Sequence, residues 1–220
     1  MKKRLIIMVR KVVEHVPEEQ LKKDLENYRQ RSRELGATDA KIITMDQVII
    51  DERVRAKCIY PKCMFYGTNA HCPPHAMDPD EARKIVKKFR YGIFIRLQVP
   101  SGDFAGPTVT EKNSSARGLV KLSNIVTKIE SEAFYDAYHL AMGFAGGPCK
   151  HLFCLKKECS ALVPGQPCRH ALRARGCMEG VGMDVFTMAA KVGWDVYPIG
   201  ASVDPAEVPC GGAYGLILIY

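Results

Sequence analysis

The sequence predicts an α/β (α+β) fold: a single compact domain over residues 1–220, with a mixed sheet, one long helix and a Cys-triplet/helix/strand unit used twice. Three observations carry this. Apolar runs of strand length alternate with amphipathic patterns of helical period. Cys58, Cys63 and Cys72 share one spacing, Cys-x4-Cys-x8-Cys, with Cys154, Cys159 and Cys168, and each triplet is followed by helix and strand signals. A hydrophobic content of 47% in 220 residues is enough to close one core.

Residues 1–50 read as a βαβ-like lead. Leu5 to Val9 is β-prone, and Pro17 opens a helix with Leu21, Leu25, Tyr28 and Leu35 on one face before Gly36 stops it. Ala40 to Thr44 and Val48 to Ile50 are again β-like, and His15 reads as a surface residue. Residues 51–100 form the first cysteine unit. Its helix is signalled by Asp78 as N-cap, Pro79 at the first helical position and Asp80 and Glu81 in the first turn, with Ala82, Ile85, Val86 and Phe89 apolar. Tyr91 to Val99 follows as a strand, and the unbroken apolar run Gly92-Ile93-Phe94-Ile95 predicts an interior place in the sheet.

Ser101 to Thr110 is a Gly/Pro loop, after which a long helix is expected over residues 113–142. Its buried stripe is Leu119, Leu122, Val126, Ile129, Ala133, Ala137 and Leu140, with His139 on the polar face. The second cysteine unit spans residues 143–220. A glycine-rich turn, Gly143 to Pro148, delivers Cys149; after the triplet come about ten extra residues near Ala171 to Gly180. Asp184 then caps a helix bearing Val185, Met188, Ala189 and Val192, Gly193 ends it, and Trp194 to Ile199 is strand-like. Tyr214 to Tyr220 reads as a buried strand.

The net charge of +8 is unevenly placed. Residues 55–75 carry a local +3 and residues 149–177 a local +5, together the whole excess. Charge that tracks cysteines favours ionised sulfur. With no interleaving of aromatic and basic residues, it argues against a nucleic-acid platform. Met1-Lys2-Lys3-Arg4 precedes only five apolar residues, too few for a secretory signal, and no run approaches the ~20 apolar residues of a membrane span. The expectation is a cytoplasmic, reducing location with no membrane association, where clustered cysteines ligate metals more often than they pair.

Cys58, Cys63, Cys72, Cys149, Cys154, Cys159 and Cys168 are the expected cofactor and metal ligands. The run Cys149-x4-Cys154-x4-Cys159-x8-Cys168 contains no Cys-x2-Cys knuckle of structural zinc, and its longer steps suit a [4Fe–4S] cubane. Two [4Fe–4S] clusters are the expected cofactors, with zinc as the alternative. The first set has three cysteines, so its fourth ligand comes from His71, His75, Cys177, Cys210 or an exogenous group. Cys177 and Cys210 otherwise read as small buried apolar residues. Glu179 and Asp184 read as helix-end residues, and His151 and His170 as neighbours of a completed quartet. No Ser/His/Asp set or paired carboxylates stand out. Electron transfer to a redox partner protein or cofactor is the first functional reading; an enzyme using an open iron as a Lewis acid and a zinc-stabilised interaction module are the others.

Cys58-x2-Pro61-x-Cys63-x2-Tyr66-Gly67-x4-Cys72-Pro73-Pro74, Gly147-Pro148-Cys149, Cys154, Cys159, Pro167-Cys168-Arg169-His170 and Met178-Glu179-x2-Gly182-Met183-Asp184-Val185 together resemble the predicted metal-binding proteins grouped as domain of unknown function 2284. The resemblance spans about residues 50 to 200. It implies a cysteine-bound metal centre, iron–sulfur in kind, in a prokaryotic cytoplasmic protein, and no reaction. Cys177 stands where that pattern leads one to expect a serine, which places this thiol outside the shared ligand set.

Overall fold

A computed structural model describes residues 9–107 and 115–220. They form six α-helices and one five-stranded mixed sheet. In chain order the elements are α1 (Glu18–Glu34), β1 (Asp39–Thr44), α2 (Glu52–Ile59), α3 (Pro79–Val86), β2 (Tyr91–Val99), α4 (Ser115–Tyr135), β3 (Met142–Ala145), α5 (Cys149–Phe153), β4 (Gly176–Cys177), α6 (Val185–Lys191) and β5 (Gly211–Leu218). The strand order is β1-β2-β5-β3-β4. β1, β2, β5 and β3 are antiparallel to their neighbours, with Ile93 opposite Ile217 and Met142 opposite Leu218, and β4 lies parallel to β3.

Successive side chains of a strand face opposite ways, so a doubly covered strand is apolar throughout. In β2, Ile93, Ile95, Leu97 and Val99 join Leu21, Leu25 and Tyr28 of α1 and Leu119, Leu122, Val126, Ile129 and Ala133 of α4. Phe94 faces the other way, into a core with Ala82 and Val86 of α3, Val185, Met188 and Ala189 of α6, and Trp194. Phe94 lies 5.0 Å from Trp194 and 6.0 Å from Tyr214, ring centre to ring centre. Each such buried side chain contributes about 1.5–3 kcal/mol, and this two-sided burial holds the sheet rigid under the cysteine loops.

The α1 stripe, the α3 cap and the β2 strand match expectation; Asp78 and Glu81 form a full capping box, and Gly36 takes φ +99°. Four readings are corrected. α4 ends at Tyr135 instead of Met142, because the chain reverses at Ala137 (φ +75°) and buries Tyr138, whose hydroxyl donates to Asp24 at 2.8 Å. Leu140 is therefore exposed, and His139 lies in an exposed turn, not on a helix. Residues read as the start of a glycine turn are instead strand β3, because their backbone pairs with β5. Trp194 to Ile199 forms no strand: the indole turns into the core and donates to Asp39 at 2.8 Å, so the second unit repeats the triplet and helix without the strand. Of Val48 to Ile50, only Ile50 bridges, to Met183, and among the described residues the lead supplies α1 and β1. Val9 is not in a strand; Leu5 to Met8, the end of the Ser101 to Thr110 loop, and Asn113 lie outside the described residues.

Candidate metal centre

Both cysteine groups hang from one edge of the sheet. β3 and β4 run parallel there, with Ala145 opposite Cys177. Beyond β3 the chain passes through Gly146-Gly147-Pro148 to Cys149 at the head of α5. Gly147 has φ +72°, and a Cβ there would lie 3.0 Å from Leu119 Cδ1, so only glycine makes this turn over α4. Opposite, the Asp51 N–H donates to Gly182 at 2.8 Å and the Asp184 N–H to Ile49 at 2.8 Å. These ties set α2, with Cys58 in its last turn, against the Glu179–Val181 turn. A Cβ on Gly180 would meet the His71 carbonyl oxygen at 3.2 Å, so the Cys72 segment rests directly on that turn.

Cys149, Cys154, Cys159 and Cys168 line one cavity together with Asn69 and Arg169. Buried Ser160 closes the loop between the last two cysteines: its hydroxyl donates to the Pro167 carbonyl at 2.8 Å and accepts the Arg169 N–H at 3.2 Å. The basic residues staple the same loop, Arg169 to the Glu158 carbonyl at 2.6 Å and Lys150 to the Lys157 carbonyl at 2.7 Å. Burial pushes the Cys149 thiol up to about 12, and the sulfurs of Cys72, Cys159, Cys168 and Cys154 add to it. Thiols crowded this way resist ionising together unless a cation joins them.

Cys58, Cys63 and Cys72 line a separate cavity, the first in chain order, whose walls also include Pro148, Cys177 and Glu179. A backbone amide two residues on reaches sulfur in each group: Phe65 N–H to Cys63 at 3.5 Å, and His170 N–H to Cys168 at 3.4 Å. Burial raises Cys58 and Cys72, with Cys63 and Glu179 among the neighbours that add to it; Arg55 opposes this at Cys58.

Of the four residues considered for the vacant position, the structure brings one to this cavity. Cys177 is there, its thiol donating to Glu179 Oε2 at 2.7 Å. His71 and His75 line a different cavity with Glu130 and Arg175; burial holds His71 towards its neutral form, and its Nδ1 is buried without a partner. Cys210 lines a third, its sulfur accepting from Arg96 at 3.5 Å. His170 packs on Phe153 at 5.5 Å and His151 on Phe65 at 5.6 Å, both as packing neighbours.

The two cysteine cavities share a wall. Pro148 faces one and Cys149 the other. Asn69, 1% exposed, stands between: its Oδ1 accepts the His71 N–H at 3.1 Å and the Cys149 thiol at 3.6 Å, and its side chain also hydrogen-bonds Cys72. Asn69 and Ser160 have no spacing signal that sequence reading could have used, and the pairing of Cys177, already a candidate ligand, with Glu179 is likewise seen only in the structure.

All nine cysteines are free thiols. Among the described residues, no three His, Cys, Asp or Glu side chains close on a point tightly enough for a single metal ion. Cysteines gathered from separate segments into two cavities make a donor set suited to a sulfur-ligated metal. Among the described residues, no helix is long and apolar enough to cross a membrane. No curated protein and no solved structure matches the chain. The sequence model of the family described as predicted metal-binding protein (DUF2284) matches residues 41–219, and to that family the chain belongs.

Proposed function

We propose that the chain holds two iron–sulfur clusters of the [4Fe–4S] kind side by side and passes electrons to a partner protein or cofactor. The observation that carries this reading is the pair of cysteine-lined cavities separated by one wall, Asn69, Pro148 and Cys149. Cys149, Cys154, Cys159 and Cys168 would hold one group, and Cys58, Cys63 and Cys72 the other. Bound there, such groups supply one-electron chemistry at a potential set by hydrogen bonds to sulfur, charge and exposure.

The protein's own part is to position and insulate. The Phe65 and His170 amides and the Asn69 side chain direct hydrogen bonds at sulfur. α2 packs on the Glu179–Val181 turn, which borders the first cavity. The second is bordered by a loop whose carbonyls are pinned by Lys150 and Arg169.

Anaerobic purification with metal analysis tests the reading. A brown protein absorbing broadly near 400 nm with about eight irons per chain is expected. Cys154→Ser should remove one cluster and Cys63→Ser the other, each with loss of stability because ligation is coupled to folding. A colourless protein holding one or two zinc ions, or full iron in both variants, refutes it.

A further inference from the structure

The first triplet supplies three cysteines to its cavity, and two further groups that could complete a ligand set, Cys177 and Glu179, line the same cavity. Glu179 lines it with Cys58, Cys63 and Cys72. Its carboxylate accepts the Cys177 thiol at 2.7 Å beside that set. Among the described residues no Lys, Arg or His forms an ion pair with it. A metal in the cavity would attract this carboxylate together with the ionised sulfurs.

Cys177 stands behind it. That residue is buried on β4, held in register by Ala145, and its thiol hydrogen points at Glu179 Oε2, 2.7 Å away. The Gly180 close approach to the His71 carbonyl fixes the same turn against the segment carrying Cys72. His71, His75 and Cys210 face other cavities.

We propose that Glu179 is the fourth protein ligand of the first site, giving it three sulfurs and one oxygen, and that Cys177 is the positioning residue whose S–H holds the carboxylate in place. This assignment rests on the iron–sulfur reading above. It makes the two sites unequal by design: hard carboxylate oxygen binds iron less tenaciously than thiolate, so the iron at Glu179 is the one an incoming ligand can reach.

The test is iron content and electron paramagnetic resonance of anaerobically purified full-length protein. Glu179→Gln and Glu179→Ala should lose about one iron per chain on mild oxidation and show a three-iron signal at the first site, with the second cluster intact. Glu179→Cys should restore the fourth iron. Cys177→Ser should keep wild-type iron, since a hydroxyl donates the same hydrogen bond, while Cys177→Ala should lose the fourth iron more readily. Wild-type iron and spectra in Glu179→Ala overturn the assignment alone. So does loss of the fourth iron from Cys177→Ser with Glu179→Ala unaffected, which would make Cys177 the ligand. Wild-type protein without iron overturns the cluster reading beneath it.

Discussion

Asn69 is the sharpest single probe of the wall between the two cavities. Its side chain is 1% exposed, and its Oδ1 receives the His71 N–H at 3.1 Å. Asn69→Ala leaves that amide without its partner, at a cost of about 1–3 kcal/mol. For a chain of this length that corresponds to a fall in Tm of roughly 2–12 °C. Asn69→Asp keeps the acceptor and the shape, so most of that stability should survive. It places a negative charge beside Cys149, whose thiol is 3.6 Å from Oδ1, and removes the donor to Cys72. At an effective dielectric near 20 a charge at such a distance costs about 1–4 kcal/mol after spreading over a cluster, or roughly 40–170 mV for a one-electron couple. Thermal unfolding and an anaerobic redox titration followed by visible absorbance measure the two effects separately. Both midpoint potentials should drop in Asn69→Asp while Tm stays near wild type. If Asn69→Asp melts as early as Asn69→Ala with both potentials unmoved, Asn69 is a structural residue only and the shared wall has no electrostatic role.

Two further outcomes follow from local geometry. Gly147→Ala must hold an L-residue at φ +72° with its Cβ against Leu119, at about 1–2 kcal/mol; Tm should fall by roughly 2–8 °C, and iron should be lost from the Cys149 site before the other, as site-resolved spectra would show. Burial pushes the Asp24 carboxyl up, but hydrogen bonds from Arg10, Tyr138 and Gln20 outweigh it and hold the folded value below the usual range. A depressed carboxylate contributes stability that is complete above its unfolded value and is lost as pH falls through the folded one. Asp24→Asn should therefore melt earlier than wild type at pH 7, and the gap should narrow below about pH 4; a gap independent of pH removes the ionised Asp24 from the account.

Much of this architecture is visible in the chain as written. The Leu21, Leu25, Tyr28 stripe, the Asp78-Pro79 cap with Glu81 and the unbroken Gly92-Ile93-Phe94-Ile95 run each carry a local physical cause, so period and capping were enough to find α1, α3 and β2. The paired cysteine spacing likewise separated two groups before any contact was known, and the family match supports metal binding. The misreadings share one origin. α4 stops at Tyr135 because Tyr138 finds Asp24, more than a hundred residues away in sequence, and Trp194 leaves the strand pattern because Asp39 accepts its N–H.

What the sequence determined by itself was therefore every feature whose cause lies within a turn or two of chain: helix faces, caps, the doubly buried strand and the cysteine intervals. Only the tertiary structure decided that the β3–β4 pairing puts Cys149 and Cys177 at one sheet edge, that Asn69 and Pro148 form a common wall, and that Glu179 lines the cavity of Cys58, Cys63 and Cys72. The reason is physical: a ligand cavity is defined by side chains from separate segments, and their meeting depends on packing energies that no local spacing records.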